Sequence, residues 1–167
     1  MGYLEHKHLS PKKTSCAVIV VSGSRTAKTD ESGKLITSLL ERDGHRVTSF
    51  CILGNDSEAL GEKVNRLLAG ENPDAIITSG GTGASHMDIT IETIAPLLDK
   101  KLDGFGELFR YLTYREIGAG SILSRAMAGV IKGKIIICLP GSIEATQTAM
   151  EKIILPEIGH MVREASR

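Results

Sequence analysis

The hydrophobic positions of the chain alternate between short unbroken runs and stretches with helical spacing. Residues 16–21 read CAVIVV, an unbroken apolar run that is typical of a strand covered on both faces. Residues 34–43 have their apolar side chains at helical spacing, and Gly44 is placed to end that helix. Residues 47–53 and 74–78 predict a second and a third strand.

A helix is predicted between the second and third strands, with Ser57 as its cap and its end near Gly70. The order strand, helix, strand, helix, strand favours a mainly parallel sheet with helices on both faces. Each crossover between parallel strands is then expected to be right-handed. The pattern therefore predicts an α/β fold.

The second half of the chain is less regular, and four elements are predicted there before a last helix. A helix over residues 90–98 starts at a Thr90 cap, and residues 102–112 form a partly helical excursion over the surface. Two antiparallel strands, residues 126–131 and 134–139, are joined at Lys132 and Gly133. A last helix follows Ser142, and Pro156 predicts a bend in it.

The composition narrows the classes of function. A length of 167 residues predicts one domain over residues 14–167, preceded by a flexible arm over residues 1–13. The formal net charge is zero, which argues against broad electrostatic binding to nucleic acid. No apolar run approaches the ~20 residues that span a bilayer, so no membrane association is expected. The cysteines lie in apolar runs without a C-x-x-C pair, which fits a reducing cytoplasm.

The most informative segment is TSGGTGASHMD, residues 78–88, between the third strand and the next helix. In open α/β sheets, ligands bind at the carboxyl ends of the strands. Residues 80–83, the glycine loop, hold three glycines, which let backbone N–H groups approach an anion or a flat ring. A tight turn without a ligand is the alternative. Hydroxyl groups are supplied nearby by Ser79 and Thr82.

Asp88 follows the glycine loop and comes just before the predicted helix start. A carboxylate at this position could hold a divalent cation that bridges phosphates. It could equally cap the helix or stabilise the positive end of its dipole. The residue type alone leaves both interpretations open.

The same segment, extended to TSGGTGASHMDITIE, resembles the signature of the MogA/MoaB family of molybdopterin-binding proteins, which is also found in the G domain of gephyrin. Asp88, Thr90 and Glu92 occupy the spaced positions of that signature. The resemblance runs from about residue 14 to residue 165. Further family-like motifs follow in order, namely GFGE at 104–107, REIG at 115–118, SRAMAG at 124–129 and LPGS at 139–142.

The resemblance implies a three-layer αβα sandwich with a mainly parallel, mixed sheet, assembled as a homotrimer or homohexamer. Active members of the family transfer AMP from Mg-ATP to the terminal phosphate of molybdopterin during molybdenum or tungsten cofactor synthesis. The resemblance therefore implies Mg²⁺ as cofactor, ATP as co-substrate and molybdopterin as substrate. Other proteins of molybdenum cofactor synthesis would be partners.

The resemblance also implies a set of site residues. Asp88 would hold Mg²⁺ through the ATP phosphates. The pterin and its phosphate would be bound, by position in the family motifs, by Ser22, Arg25, Ser79, Gly80, Gly81, Thr82, Gly83, Glu107, Ser124, Arg125, Pro140, Gly141 and Ser142. Arg25 and Arg125 could instead be solvated surface charges, and Glu107 could lie on a helix surface.

One segment departs from the family pattern. Active members carry a second catalytic Asp after the second strand, in a V-P-D-D or P-D-E type segment. This chain reads Leu53-Gly54-Asn55-Asp56 there, without the Pro. Asn55 keeps an oxygen ligand but lacks the negative charge, and Asp56 could substitute if the loop shifts by one residue. Asn55 and Asp56 could therefore take part in catalysis or merely form a turn before the helix. For the whole protein, a transferase, a non-catalytic molybdopterin carrier and a domain that recruits a partner protein all stay open.

Overall fold

The computed structural model describes residues 2, 7–71 and 73–167, with Glu71 described by its backbone alone. Within these residues, six strands form one sheet: β1 (Ser15–Val21), β2 (Arg46–Leu53), β3 (Ala75–Ser79), β4 (Lys100–Lys101), β5 (Met127–Ile131) and β6 (Lys134–Leu139). Their order across the sheet is β2-β1-β3-β6-β5-β4. The first four in this order are parallel, whereas β5 is antiparallel to β6 and β4 is antiparallel to β5.

Helices cover both faces of this sheet. In chain order they are α1 (Ser32–Arg42), α2 (Ser57–Arg66), α3 (Thr90–Ile94), α4 (Asp103–Ile117), α5 (Ile143–Ala149) and α6 (Leu155–Ala165). A π-helical turn (Leu67–Glu71) extends α2, and short 3₁₀ turns extend α3 (Ala95–Leu97) and α4 (Gly118–Leu123). A second π-helical turn (Met150–Ile154) joins α5 to α6.

The core is divided between the two faces of the sheet because successive strand residues point in opposite directions. Val18 and Ile77 pack in one layer with α1, α4, α5 and α6, and Ile19 and Ile76 pack in the other with α2 and α3. Both faces of β1 are therefore buried, which accounts for its unbroken apolar run. The expected three-layer α/β architecture with a mainly parallel sheet is confirmed.

The cap of α2 differs from the prediction. Asp56, and not Ser57, is the capping residue, and its Oδ1 accepts hydrogen bonds from the N–H groups of Glu58 at 2.9 Å and Ala59 at 3.0 Å. A carboxylate one residue before the helix reaches both of these N–H groups, whereas Ser57 is already in the first turn. The capping role of Asp56 bears directly on the site described below.

Residues 102–112, predicted as a partly helical excursion over the surface, belong mostly to the long helix α4, so the helical part is confirmed but the surface course is wrong. Phe105 and Phe109 are buried under this helix, and their stacked rings have centroids 6.4 Å apart. Gly104 and Gly106 lower the intrinsic helix propensity of the segment. Burial of the two aromatic rings outweighs that cost.

The predicted hairpin between β5 and β6 is confirmed. Lys132 and Gly133 form its turn with φ values of 48° and 74°, the left-handed conformations that a type I′ turn requires. In the last helix, the π-helical turn Met150–Ile154 comes just before Pro156, which lies in the first turn of α6. Pro156 has no N–H group to donate to the preceding turn, and the helix is widened to a π-helical turn just before it.

The described part of the N-terminal arm lies against α6. The Pro11 carbonyl oxygen is so close to Gly159 that a Cβ atom there would collide with it, and Lys7 pairs with Glu157 at 2.5 Å. Met1 and residues 3–6 of the predicted flexible arm lie outside the described residues, so the flexibility of the arm stays a prediction. None of the described helices has the length and apolar character that a bilayer crossing requires.

Candidate functional site

A cavity of about 650 Å³ opens at the carboxyl ends of β1, β3 and β6. Parallel strands place their following loops at the same edge of the sheet, which is why loops far apart in sequence meet there. The predicted residues that line the cavity are Ser22, Arg25, Asn55, Gly80, Gly81, Thr82, Gly83, Asp88, Ser124, Pro140, Gly141 and Ser142. The predicted residues outside its lining are Asp56, Ser79, Glu107 and Arg125.

The glycine loop is held with its backbone close to neighbouring chain. Gly80 and Gly81 have φ values of 97° and 66°, and a Cβ at Gly80 would collide with the Val21 carbonyl oxygen. Within the described residues, no protein acceptor lies within hydrogen-bonding distance of the N–H groups of Thr82 and Gly83. These N–H groups are therefore available to an anionic or polar ligand in the cavity.

Thr90 fixes the conformation of the glycine loop. Its hydroxyl donates to the Gly80 carbonyl and its N–H donates to the Gly81 carbonyl, both at 2.8 Å. Thr90 was predicted to cap α3, but it is the first residue of that helix and makes no capping bond. The tertiary bond to Gly80 uses the hydroxyl group instead.

Asp88 places its carboxylate in the cavity beside the glycine loop. Its Oδ2 accepts from the Ser85 N–H at 3.0 Å, and a Cβ built on Gly83 would lie 2.5 Å from the same oxygen. The residue before α3 is Ile89, and no side chain caps that helix. The structure therefore excludes capping by the Asp88 side chain and places its carboxylate in the lining of the cavity.

The Asn55-Asp56 pair is split by the structure. Asn55 lines the cavity, whereas Asp56 lies outside the lining with its carboxylate engaged in capping α2. The prediction that Asp56 takes part in catalysis is therefore not supported. Asp88 is consequently the acidic side chain of the cavity lining, and the described residues contain no group of three or more Asp, Glu, His or Cys placed to hold a metal.

Arg25 is tied into the wall of the cavity and is not a free surface charge. Its Nη1 donates to Ser32 Oγ at 2.7 Å and its Nη2 donates to the Gly141 carbonyl at 2.8 Å. Asp30, which is completely buried, lies behind it with Oδ1 3.8 Å from Nη1. The guanidinium thereby links the loop after β1 to the loop after β6.

A buried second layer supports Arg25. Ser79 donates from Oγ to Ser32 Oγ at 3.0 Å, so it holds the wall and does not reach the cavity. Asp30 Oδ1 accepts from Ser32 Oγ at 3.3 Å and from the Gly33 N–H at 3.2 Å. Asp30 and Ser32 were absent from the predicted site, although the D-x-S-G order before a helix was a signal for such a network.

Ser124 and Arg125 have different positions. Ser124 lines the cavity, and its buried Oγ has no hydrogen-bond partner among the described residues. Arg125 lies behind the glycine loop, where its Nε donates to the Thr82 carbonyl at 3.2 Å and its Nη2 lies 2.5 Å from Glu92 Oε1. The hydrogen bond from Arg125 holds the pKa of Glu92 below its usual value.

The predicted contact of Glu107 with the pterin is not supported, because Glu107 is exposed on α4 and lies outside the cavity lining. The same helix contributes Phe109, Thr113 and Ile117 to one wall instead. Their spacing of four residues puts them on one helical face. They were missed because the segment was expected to cross the surface; the i, i+4, i+8 spacing was the available signal.

Comparison with known proteins identifies the family of the chain. A family described as "Probable molybdopterin binding domain" matches residues 17–160 of the chain. Molybdenum cofactor biosynthesis protein B of Bacillus subtilis is 46% identical over 165 residues, which cover 98% of this chain and 97% of that protein. The same protein of Bacillus cereus is 44% identical over 168 residues, which cover 100% of this chain and 99% of that protein.

Solved structures extend the likeness to the fold. A crystal structure of molybdenum cofactor biosynthesis protein B has a TM-score of 0.89 at 44% identity and covers 93% of this chain and 98% of that one. The tungsten cofactor synthesizing protein MoaB from Pyrococcus furiosus has a TM-score of 0.86 at 34% identity and covers 95% and 100%. By sequence and by fold, the chain belongs to the MogA/MoaB family of molybdenum cofactor biosynthesis proteins.

Proposed function

We propose that this protein binds molybdopterin in the cavity and transfers AMP from Mg-ATP to its terminal phosphate. One observation carries the proposal. The Asp88 carboxylate lies against Gly83, whose N–H group, like that of Thr82, has no acceptor among the described residues. An anion-binding backbone and a cation-binding carboxylate are thus adjacent in one cavity, which is what transfer between two phosphate groups needs.

The cavity suits a phosphorylated pterin in both its polar and its apolar parts. The glycine loop and Arg25 offer donors to phosphate and ring oxygens. Ile117 and Leu123, which line the cavity and are exposed, offer apolar surface to a flat ring system. A cavity of about 650 Å³ lies within the usual range for ligands of this size.

The donor set also suits Mg²⁺ brought in with ATP. This ion is commonly bound through one or two carboxylates together with substrate phosphates and water, and a cage of protein ligands is not required. Asp88 would supply the carboxylate, and the amide oxygen of Asn55 lines the same cavity. The bound ion would supply positive charge to offset the charge on the triphosphate.

The chain itself has to position two anions and offset their charge. The attacking phosphate is already ionised, so no general base is required. Backbone N–H groups of Thr82 and Gly83 would hold the pterin phosphate, and Arg25 would offset its charge. Because Arg25 is fixed by Ser32 and Gly141, little reorganisation is needed when the charge shifts during transfer.

A second candidate function is a molybdopterin carrier without catalysis. The observation that favours it is the neutral Asn55, which leaves Asp88 as the acidic side chain of the cavity lining. With one carboxylate the cavity would bind Mg²⁺ weakly. AMP transfer would then fail, whereas molybdopterin binding would be unaffected. The two candidates therefore differ in turnover but agree in binding.

One experiment separates the candidates. The purified protein is incubated with molybdopterin and Mg-ATP, the AMP adduct is identified by mass spectrometry, and pterin binding is measured in parallel by calorimetry. Adduct formed in more than one turnover per protein supports the transferase. Tight pterin binding without adduct supports the carrier, and no pterin binding contradicts both.

We also propose that the protein is a homo-oligomer. A row of large apolar side chains on α4, outside both the substrate cavity and its neighbouring cleft, is exposed to solvent, namely Leu108, Tyr111 and Tyr114. Contiguous apolar surface of this kind is typical of a subunit contact. Light scattering after gel filtration is expected to give the mass of a trimer or hexamer, and Tyr111→Glu with Tyr114→Glu is expected to reduce that mass.

A further inference from the structure

A second cleft, of about 500 Å³, lies next to the substrate cavity between α4, β5 and the turn that joins them. Three basic side chains line it, those of Lys101, Arg110 and Arg125, and one acidic side chain, that of Asp103. Arg125 is paired with Glu92, so Lys101 and Arg110 provide the charge available to a ligand. The family signature had drawn attention to Arg125 alone.

Arg110 is held in this cleft without a protein partner. It is partly buried, and no acceptor or carboxylate among the described residues is within bonding distance of its guanidinium. A Cβ at Gly106 would lie 2.9 Å from both Nη1 and Nη2, so the guanidinium lies over a position that only glycine leaves free. A partly desolvated guanidinium without an acceptor is a site for an anion, best a phosphate that it can bind with two N–H groups.

The cleft adjoins the substrate cavity. Ser124 lines both, and its buried Oγ has no partner among the described residues. Arg125 also joins the two, because it lines the cleft and donates to the Thr82 carbonyl in the glycine loop. Ser124 thus forms a boundary that the cleft shares with the cavity.

We propose that this cleft binds the β- and γ-phosphates of the nucleoside triphosphate, with Arg110 as the main contact and Lys101 as the outer one. The inference rests on the proposed adenylyl transfer. In that step an oxygen of the pterin phosphate forms a bond to the α-phosphorus, and the bond from that phosphorus to the bridging oxygen breaks. The electron pair leaves with inorganic pyrophosphate, and no proton or oxidant is needed. The cleft holds the group that departs.

The test uses Mg-pyrophosphate alone, titrated into the full chain by calorimetry at low salt. Arg110→Met is compared with Arg115→Met, which removes an exposed arginine five residues further along α4 and outside the cleft. We expect Arg110→Met to raise the Kd for pyrophosphate about tenfold and Arg115→Met to leave it unchanged. Lys101→Met, at an exposed position, is expected to raise it by a smaller factor and serves if Arg110→Met does not fold.

The outcomes separate this inference from the function on which it rests. Equal pyrophosphate affinities in the wild type and in both cleft variants would overturn the inference, even if the AMP adduct forms. Weakened pyrophosphate and ATP binding in Arg110→Met, with unchanged affinity for molybdopterin, supports it. If the wild type binds pyrophosphate through Arg110 but forms no AMP adduct, the cleft assignment holds and the transferase proposal fails.

Discussion

The carboxylate of Asp88 lies so close to Gly83 that a methyl group added there would come within 2.5 Å of Oδ2. Gly83 is not in a left-handed conformation, so alanine is compatible with its backbone. The side chain of Asp88 would have to move instead. The identity of residue 83 thus sets the position of the carboxylate while the fold does not depend on it.

Gly83→Ala is therefore expected to lower AMP transfer about 10²-fold, because a displacement of this size at a reacting centre costs about that much. Thermal stability should change little. The control is Gly104→Ala, at a helical position with no atom within 4 Å of the added methyl group. Unchanged transfer in Gly83→Ala would mean that the position of Asp88 does not matter.

Asn55→Asp tests whether a missing charge limits catalysis. A second carboxylate in the cavity would strengthen Mg²⁺ binding beside Asp88, so transfer measured at limiting Mg²⁺ should rise by about tenfold or more. Pterin affinity without Mg²⁺ should fall slightly or stay constant. If transfer falls while the protein stays folded, the amide of Asn55 has a role that a carboxylate cannot replace.

Asp30→Asn tests the buried support of Arg25. Loss of the charge behind the guanidinium should weaken molybdopterin binding about tenfold while binding of the dephosphorylated pterin stays unchanged. A loss of roughly 1–3 kcal/mol in the free energy of unfolding should accompany it. Glu31→Gln, next to it but exposed and without a capping bond, is the control. Equal losses for both pterins would show that Asp30 supports only the fold.

The sheet and most of its helices were predictable because each carries a local signal. CAVIVV marked β1, and Lys132-Gly133 marked the hairpin. α4 was misjudged because its burial depends on Phe105 and Phe109 reaching distant strands, which local propensity does not record.

The candidate site was predictable where a loop motif adjoined a strand end, as in residues 80–83 and Asp88. It was not predictable where residues adjacent in sequence have different roles in the structure. Asn55 and Asp56 are adjacent, yet one lines the cavity and the other caps a helix. Likewise Arg25 and Asp30 form one network only because the loop after β1 folds back on itself.

The buried cysteines predict a loss of stability at alkaline pH. Burial raises the pKa of Cys16 to about 11 and that of Cys138 to about 12. Because the folded pKa is higher than the unfolded value of 9.0, stability is full below pH 9 and falls as pH rises above it. Each thiol should cost about 1 kcal/mol by pH 10.

Cys138→Ala should remove its share of that dependence. Its free energy of unfolding will be lower than that of the wild type at pH 8, because a cavity is created. The difference between the two proteins should narrow by about 1 kcal/mol between pH 8 and pH 10. A constant difference would show that Cys138 does not contribute to the alkaline dependence.

The most direct test of the account compares Asp88→Asn with Asp56→Asn in the formation of the AMP adduct from molybdopterin and Mg-ATP. Asparagine caps helices about as well as aspartate, so Asp56→Asn should keep wild-type transfer and stability. Asp88→Asn should lower transfer by about 10² to 10³ with little change in pterin affinity. Wild-type transfer in Asp88→Asn, or its loss in Asp56→Asn, would contradict the assignment of the cavity carboxylate.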